Sequence, residues 1–215
     1  MRIIKRLLTF LIVLVVVLLA AAFIFIKSVA VNVTNADLPQ DIYSETGDLQ
    51  TIARINLLGL VVASEEDSYL LINNFMNYMF LDSIRSSINS AYDPLGDLNT
   101  DATNYIVDGF GYYIDYVYST LNENNQIVVC ISFGTDKYIT SHSAIYLYFD
   151  VLIEKELLNI TVTLSLSEYY LSDTKLSLKM LDYLFEKLDK TSIEDSMTMG
   201  VLDLDNYTYT VSIIE

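Results

Sequence analysis

An uninterrupted apolar run near the start of the chain constrains everything that follows it. The run extends from Leu7 to Ile26, and its only polar residue is Thr9. A helix of this length rises about 30 Å, which matches the hydrocarbon core of a bilayer. Three bases precede the run and one follows it, so the positive-inside bias keeps the stub of residues 1–6 in the cytoplasm. The pattern predicts a signal-anchor transmembrane helix over residues 7–26, in a single-pass cell-membrane protein whose C-terminal part lies outside.

A cleaved signal peptide is the alternative interpretation of this run. The apolar core of a signal peptide has about 7–15 residues and ends at a small-residue site. Here the small residues Ala20–Ala22 lie inside the run, and the bulky residues Phe23–Ile26 follow them. This order favours the uncleaved anchor, and cleavage near Ala30 or Ala36 stays open. Under both interpretations the rest of the chain is exported.

Charge separates the apolar run from the rest of the chain. Four of the 12 bases lie within the first 27 residues, which contain no acid, so eight bases accompany all 28 acids in the remainder. An acidic body of this kind repels phosphates and anionic headgroups, and we therefore expect no nucleic acid among its partners. Hydrophobic residues make up 53 % of the chain, which excludes a disordered acidic tail.

The exported part divides into a linker and one domain. Residues 27–48 mix small, polar and acidic side chains and predict a juxtamembrane linker before an extracytoplasmic α+β domain over residues 49–215. The apolar stretch Ile52–Ala63 predicts a strand or an extended lead-in. Ser64 and the three acids after it mark a helix start, because they suit the free N–H groups and the positive end of the helix dipole. This helix is expected to end near Ala91. Its apolar face includes Leu71, Phe75, Tyr78, Met79 and Ile88.

Beyond that helix the hydrophobic period changes from 3.6 to 2. Apolar and polar residues alternate over Leu158–Glu168, and Ala144–Glu154 provides the preceding strand of a hairpin. The other predicted elements are the hairpins Tyr112–Thr120 with Gln126–Phe133 and Met199–Leu204 with Tyr207–Ile214, and the helix Leu178–Leu188. The predicted fold class is α+β: an N-terminal transmembrane helix followed by an antiparallel, curved sheet of about six strands packed against two main helices.

The order of these elements also carries a family resemblance. The strand Asn159–Leu166 leads through Lys175–Leu178 into a helix rich in Leu and aromatic residues, and the hairpin Met199–Ser212 closes the chain. With the anchor and the acid-capped helix, this order resembles the YpmS-like family of membrane-anchored bacterial proteins of unknown function. The resemblance covers the anchor and residues 64–91 and 158–214. It implies an anchored domain in a bacterial cell envelope, with no catalytic residues to carry over.

We expect this domain to bind something and not to act as an enzyme. A sheet packed on helices can leave an apolar groove between them, suited to a lipid or a peptide. The candidate lining residues on the first helix are Phe75, Met76, Met79 and Phe80. The alternative is an envelope scaffold that docks a partner protein through its acidic surface or through a surface rich in tyrosine, of which the chain has 17.

Two residues, His142 and Cys130, are the candidates for a role in nucleophilic catalysis. His142 lies in a polar segment and would serve a hydrolase only together with a Ser and an Asp, and the sequence contains no Gly-x-Ser-x-Gly motif. Cys130 lies in an apolar strand without a neighbouring base, where a thiol is expected to be a small buried hydrophobe. The sequence contains no cofactor motif, and we expect none to be bound.

A calcium loop is the one metal-site hypothesis. Asp97, Asn99 and Asp101 have the spacing that opens an EF-hand loop, and Asp108 occupies its twelfth position. Ala102 stands where that loop needs Gly, so an acidic surface loop without metal is the favoured interpretation.

Overall fold

The described part of the chain begins after the apolar run. The computed structural model describes residues 30–31, 33–96, 103–109, 111–135, 141–156, 159–177 and 200–214. The predicted transmembrane segment and the predicted helix over residues 178–188 lie outside these ranges. Within them, no helix combines the length and the apolar character needed to cross a bilayer.

The helical elements come before the sheet. Within the described ranges they are a 3₁₀ turn Asn35–Asp37, then α1 Gln40–Tyr43, α2 Leu49–Gly59 and α3 Glu65–Ser83, which continues into a π-helical turn Ile84–Ile88. α2 and α3 form an antiparallel pair, since Gln50 Nε2 donates to Asp82 Oδ2 at 3.0 Å while Gly59 packs against Leu71 at the other end.

One antiparallel sheet follows the helices. Its order is β1-β2-β3-β4-β5-β8-β7, with β6 paired to β5. In the described residues the eight strands are β1 Val107–Gly109, β2 Tyr112–Leu121, β3 Ile127–Thr135, β4 Ser141–Glu156, β5 Asn159–Leu171, β6 Thr174–Lys175, β7 Val201–Asp203 and β8 Thr208–Ile214. The α+β class is confirmed in this form, an antiparallel sheet with helices, and each of the three predicted hairpins is present.

The predicted strand or lead-in over Ile52–Ala63 is wrong, because most of this segment is α2. Asp48 caps the helix and accepts from the Thr51 backbone N–H at 3.2 Å. The residues that α2 and the turn after it bury have helical spacing: Leu49, Ala53, Leu57 and Leu60. The cap Asp48 and the first buried residue Leu49 both precede Ile52, so the apolar stretch by itself does not show the helical period.

The helix start at Ser64 is confirmed, and the helix end differs from the prediction. Ser64 Oγ accepts from the Asp67 backbone N–H at 3.1 Å. α3 ends at Ser83, and its last turn widens so that the Asn89 N–H reaches the Ile84 carbonyl at 2.8 Å. As a result Ile88 leaves the apolar face and is 56 % exposed.

A first core, which we call the N-terminal cluster, includes part of the segment assigned to a linker by composition. It joins that segment to the end of α3 and to one face of β2–β4. Its buried members are Val33, Leu38, Ile42, Tyr43, Leu49, Leu81, Ile84, Tyr92, Ile106, Tyr118, Cys130 and Ala144. The packed core therefore extends into the predicted linker at least as far as Val33.

A second core, which we call the helix–sheet cluster, packs α2 and α3 on the sheet. Its buried members are Ala53, Leu57, Leu60, Ile72, Phe75, Ile127, Val129, Ile160, Val162, Leu164, Tyr209 and Val211. Successive residues of a strand point to opposite faces. Val129 belongs to this cluster and Cys130 to the N-terminal cluster, so β3 is covered on both faces.

Candidate functional site

An apolar pocket of about 280 Å³ lies between α3 and the sheet. Its sides are α3 and the β7–β8 hairpin, and its floor is β2–β5. The lining residues are Met76, Phe80, Val117, Val129, Ile131, Leu147, Phe149, Leu164, Leu166, Leu204, Tyr207, Thr208 and Tyr209. The pocket is partly open to solvent and its volume is close to the lower end of the range for small-molecule sites.

The four residues predicted to line a groove separate onto two stripes of α3. Met76 and Phe80 are one helical turn apart and both line the pocket. Phe75 is only 2 % exposed and belongs to the helix–sheet cluster, against which Met79 also packs. The structure thus brings two of the four to the pocket and uses the others for packing.

A β-bulge sets which residues of β5 face the pocket. Tyr148 pairs with Glu168 and Phe149 with Leu166, which leaves Ser167 as the extra residue on β5. The Ser167 hydroxyl donates to the Tyr148 carbonyl at 3.1 Å. The bulge shifts the alternation of inward-facing residues along β5. Before the bulge the even-numbered Leu166 lines the pocket, and after it the odd-numbered Tyr169 is buried.

The β7–β8 hairpin supplies the wall that sequence reasoning missed. Leu204 and Tyr209 are buried there, and Tyr207 adopts a left-handed backbone with φ 53°. The Leu166 N–H donates to the Tyr207 carbonyl at 3.0 Å, which fixes this turn to β5 beside the pocket. Asp205 and Asn206 do predict the turn, but nothing in the local pattern indicates that the turn faces α3.

The electrostatics of the pocket favour an uncharged occupant. Among the described residues, the lining side chains include no ionisable group except the two tyrosines, and burial raises the pKa of Tyr209 to about 12. The Leu and Phe side chains of the lining have no atoms that bind a metal. Met76 has a flexible thioether side chain, which can adapt to an apolar ligand of irregular shape. The arrangement can bury apolar surface and has no group placed for acid–base chemistry.

His142 is the centre of a second, polar cluster on β2–β4. Its Nε2 lies 2.8 Å from Asp115 Oδ2 and 2.8 Å from Ser132 Oγ. Its Nδ1 lies 3.2 Å from the Val31 carbonyl oxygen. Asp115 reaches this position because the β2–β3 register shifts between Ile114 and Tyr116, which makes Asp115 the bulge residue of β2.

This cluster differs from a hydrolase triad in its connectivity. In a triad the carboxylate binds one imidazole nitrogen and the serine binds the other. Here Asp115 and Ser132 both contact Nε2, and Ser132 is 0 % exposed. The cluster can hold a cationic ring against a carboxylate, but it does not present an activated hydroxyl to a substrate.

The remaining candidates fall into two groups. Asp97, Asn99 and Asp101 lie outside the described residues, and Asp108 is an exposed residue of β1. Among the described side chains, no group of three or more His, Cys, Asp or Glu residues is placed to hold a metal ion. Cys130 is buried as expected, and burial raises its pKa to about 11.

Comparison with protein-family models, with curated proteins and with solved structures finds no match to this chain. The resemblance to the YpmS-like family is therefore still a prediction.

Proposed function

We propose that the chain is a membrane-anchored, extracytoplasmic domain that binds an apolar ligand, a lipid chain, in the pocket between α3 and the sheet. In this proposal residues 7–26 form the anchor, residues 1–6 are cytoplasmic, and the acidic domain lies outside the cell. The single observation that carries the ligand assignment is the apolar surface that the described lining residues present to the 280 Å³ pocket.

The lining favours a lipid chain over a peptide. A peptide that entered the pocket would bring backbone N–H and C=O groups into apolar surroundings, where each unpaired group costs free energy. The residues of the floor, such as Val129, Leu147 and Leu164, provide only hydrocarbon surface there. A lipid chain gains free energy by burial and needs no polar partner.

The tether length adds a reason to expect a lipid. The apolar run ends at Ile26, and Val31 is fixed to β4 by a backbone bond from its N–H to the His142 carbonyl, 2.8 Å long. Five residues span at most about 18 Å. If the run is the anchor, this end of the sheet stays close to the bilayer, where lipid is the abundant apolar ligand.

The ligand assignment can be tested by photo-crosslinking. The full chain in lipid nanodiscs is exposed to a fatty acid that carries a diazirine at mid-chain, and adducts are mapped by mass spectrometry. We expect adducts on the pocket lining, above all on Met76 and Phe80. Leu166→Phe fills part of the pocket and should lower the adduct yield at least about fivefold.

Leu152→Phe is the matched control, because Leu152 lies on the neighbouring strand β4, is exposed and does not line the pocket. This control should give the wild-type adduct yield. The ligand proposal fails if labelling is spread over the surface, or if Leu166→Phe labels as strongly as Leu152→Phe. Protease treatment of intact cells tests the location separately, since an outside domain is degraded while the cells stay intact.

An envelope scaffold is the second candidate, and one surface favours it. The end of α2 and the turn after it expose apolar side chains, namely Ile55, Leu58, Val61 and Val62, the last with 87 % exposure. Such a patch is typical of a contact surface. A photoreactive residue at position 62 should then give a discrete protein adduct in intact cells. Leu58→Glu should abolish that adduct, and position 152 should give none.

A further inference from the structure

The N-terminal segment meets the sheet at one end of its strands. The Val31 N–H donates to the carbonyl of His142, the second residue of β4, at 2.8 Å. The Tyr113 ring of β2 stacks on the His142 ring at 6.2 Å between centroids, and the Tyr105 ring lies 4.9 Å from that of Tyr113. We call this end of the domain the tethered end.

Four large apolar or aromatic side chains are exposed at the tethered end. Three of them, Ile88, Tyr105 and Val107, line an open groove beside the edge strand β1. The fourth, Tyr112, begins β2, pairs with the last residue of β1 and is 67 % exposed. We call these four residues the tethered-end patch. Among the described residues that line the groove, Asp108 is the charged side chain.

The opposite end of the sheet, which we call the acidic end, has a different character. β4 has 16 residues, and at about 3.3 Å per residue its two ends lie at most about 50 Å apart. At the far end of β4, Lys155 Nζ donates to the Ala63 carbonyl at 3.0 Å. The chain near this contact exposes five acids, namely Glu65, Glu66, Asp67, Glu154 and Glu156. This group of acids is therefore far from the tethered-end patch.

The length of the tether keeps the tethered end near the bilayer. This step rests on the anchor proposed above for residues 7–26. The five residues from Ile26 to Val31 span at most about 18 Å, and the headgroup layer takes up about 5–8 Å of that distance. Val31 therefore stays within about 13 Å of the outer surface of the headgroups.

We propose that the tethered-end patch lies in the headgroup layer of the bilayer to which the chain is anchored. Tyrosine suits this layer, because its ring is apolar while its hydroxyl stays in contact with water. Ile88 and Val107 gain free energy by burying apolar surface there. A contact of four side chains is weak alone, but the tether raises its effective concentration and keeps it formed. The partner of this patch is thus a lipid surface, and the acidic end points away from it.

Fluorescence quenching by brominated lipid tests this contact. The chain contains no Trp, so a single Trp substitution provides a unique reporter. The full chain is placed, one copy per disc, in phosphatidylcholine nanodiscs with or without bromine near the headgroup end of the acyl chains. Tyr112→Trp should lose at least about half of its fluorescence in the brominated discs, as expected for a ring at the interface. Val62→Trp, an exposed position at the acidic end, is the matched control and should keep its fluorescence.

A second substitution separates contact from proximity. Val107→Glu brings a carboxylate to the headgroup layer, so it should restore the fluorescence of Tyr112→Trp. Leu152→Glu, at an exposed position outside the patch, should leave the quenching unchanged, and circular dichroism checks that both variants are folded. The inference is wrong if Tyr112→Trp is quenched no more than Val62→Trp, or if the quenching persists in folded Val107→Glu.

These outcomes are distinct from a failure of the ligand assignment. Tyr112 does not line the pocket, and Val117, the lining residue on the same strand, is about 17 Å away along β2. If the patch binds a second copy of the chain instead, Tyr112→Trp stays unquenched with one copy per disc, which overturns the inference. A chain that does not enter the discs refutes the anchor and this inference with it, and leaves the ligand of the pocket to the crosslinking experiment.

Discussion

The two cores of this domain are stabilised by different interactions. The N-terminal cluster contains directed hydrogen bonds, since the Tyr92 hydroxyl donates to the Asp115 carbonyl at 2.8 Å and the Tyr43 hydroxyl donates to the Val117 carbonyl. At its edge, Arg85 donates to the carbonyls of Tyr43, Glu45 and Tyr92. On the helix–sheet side the Asn77 amide exchanges two hydrogen bonds with the Ser119 backbone, at 2.9 and 2.8 Å, whereas the part of that cluster that borders the pocket consists of apolar contacts.

This difference explains why the pocket lies where it does. A void beside hydrogen-bonding groups would leave some of them without partners, at a cost of about 1–3 kcal/mol each. A void beside hydrocarbon loses only dispersion contacts, which a ligand can restore. An apolar core can therefore keep an opening for an occupant, whereas a hydrogen-bonded core fixes one arrangement of the chain.

The largest expected effect distinguishes the packed stripe of α3 from its pocket stripe. Phe75→Ala removes a fully buried ring and should lower the free energy of unfolding by about 4 kcal/mol. Phe80→Ala removes a ring that already borders open space, and should cost about 2 kcal/mol. Chemical denaturation of the full chain, followed by circular dichroism, measures both values. Equal losses would mean that the space beside Phe80 is filled in solution.

The next effect tests the directed bonds at the N-terminal cluster. Arg85→Ala leaves three carbonyls without their donor and should cost about 3 kcal/mol in the same assay. Arg54→Ala is the matched control, because Arg54 is exposed on α2, and it should change stability by less than about 0.5 kcal/mol. If the two variants unfold alike, the Arg85 bonds do not stabilise this side of the domain.

The smallest effect concerns alkaline pH and again singles out the N-terminal cluster. Burial raises the pKa of the Cys130 thiol from 9.0 to about 11. Between these values the unfolded chain has lost the proton and the folded chain keeps it, so stability falls as pH rises from about 9 to about 11. Cys130→Ala should reduce this loss by an amount on the order of 1 kcal/mol. Denaturation midpoints with the same alkaline slope in both proteins would refute this explanation.

Local signals predicted much of the fold. Ser64 with its acids identified the start of α3, and apolar–polar alternation identified β5, because both patterns act over a few neighbouring residues. The prediction failed at α2, where the cap Asp48 lay outside the apolar window, and at the end of α3. There Arg85 bonds carbonyls up to 42 residues away, and such long-range partners leave no local pattern.

The candidate site was predicted only in part, for a related reason. Met76 and Phe80 were two of the four candidate lining residues on the predicted helix, but the local pattern did not separate them from Phe75 and Met79. His142 was identified as an isolated histidine in a polar segment. Its partner Asp115 is positioned by a bulge, and its contact with Val31 joins residues 111 positions apart.

The sequence alone determined the apolar run, the acidic composition beyond it, the capped helix and the alternating strands, since each depends on neighbouring residues and on solvent. The tertiary structure decided which stripe of α3 lines the pocket, that the β7–β8 turn forms one of its walls and that His142 contacts Val31 near the start of the domain. Those features depend on strand register and on contacts between distant segments, and these exist only once the chain has folded.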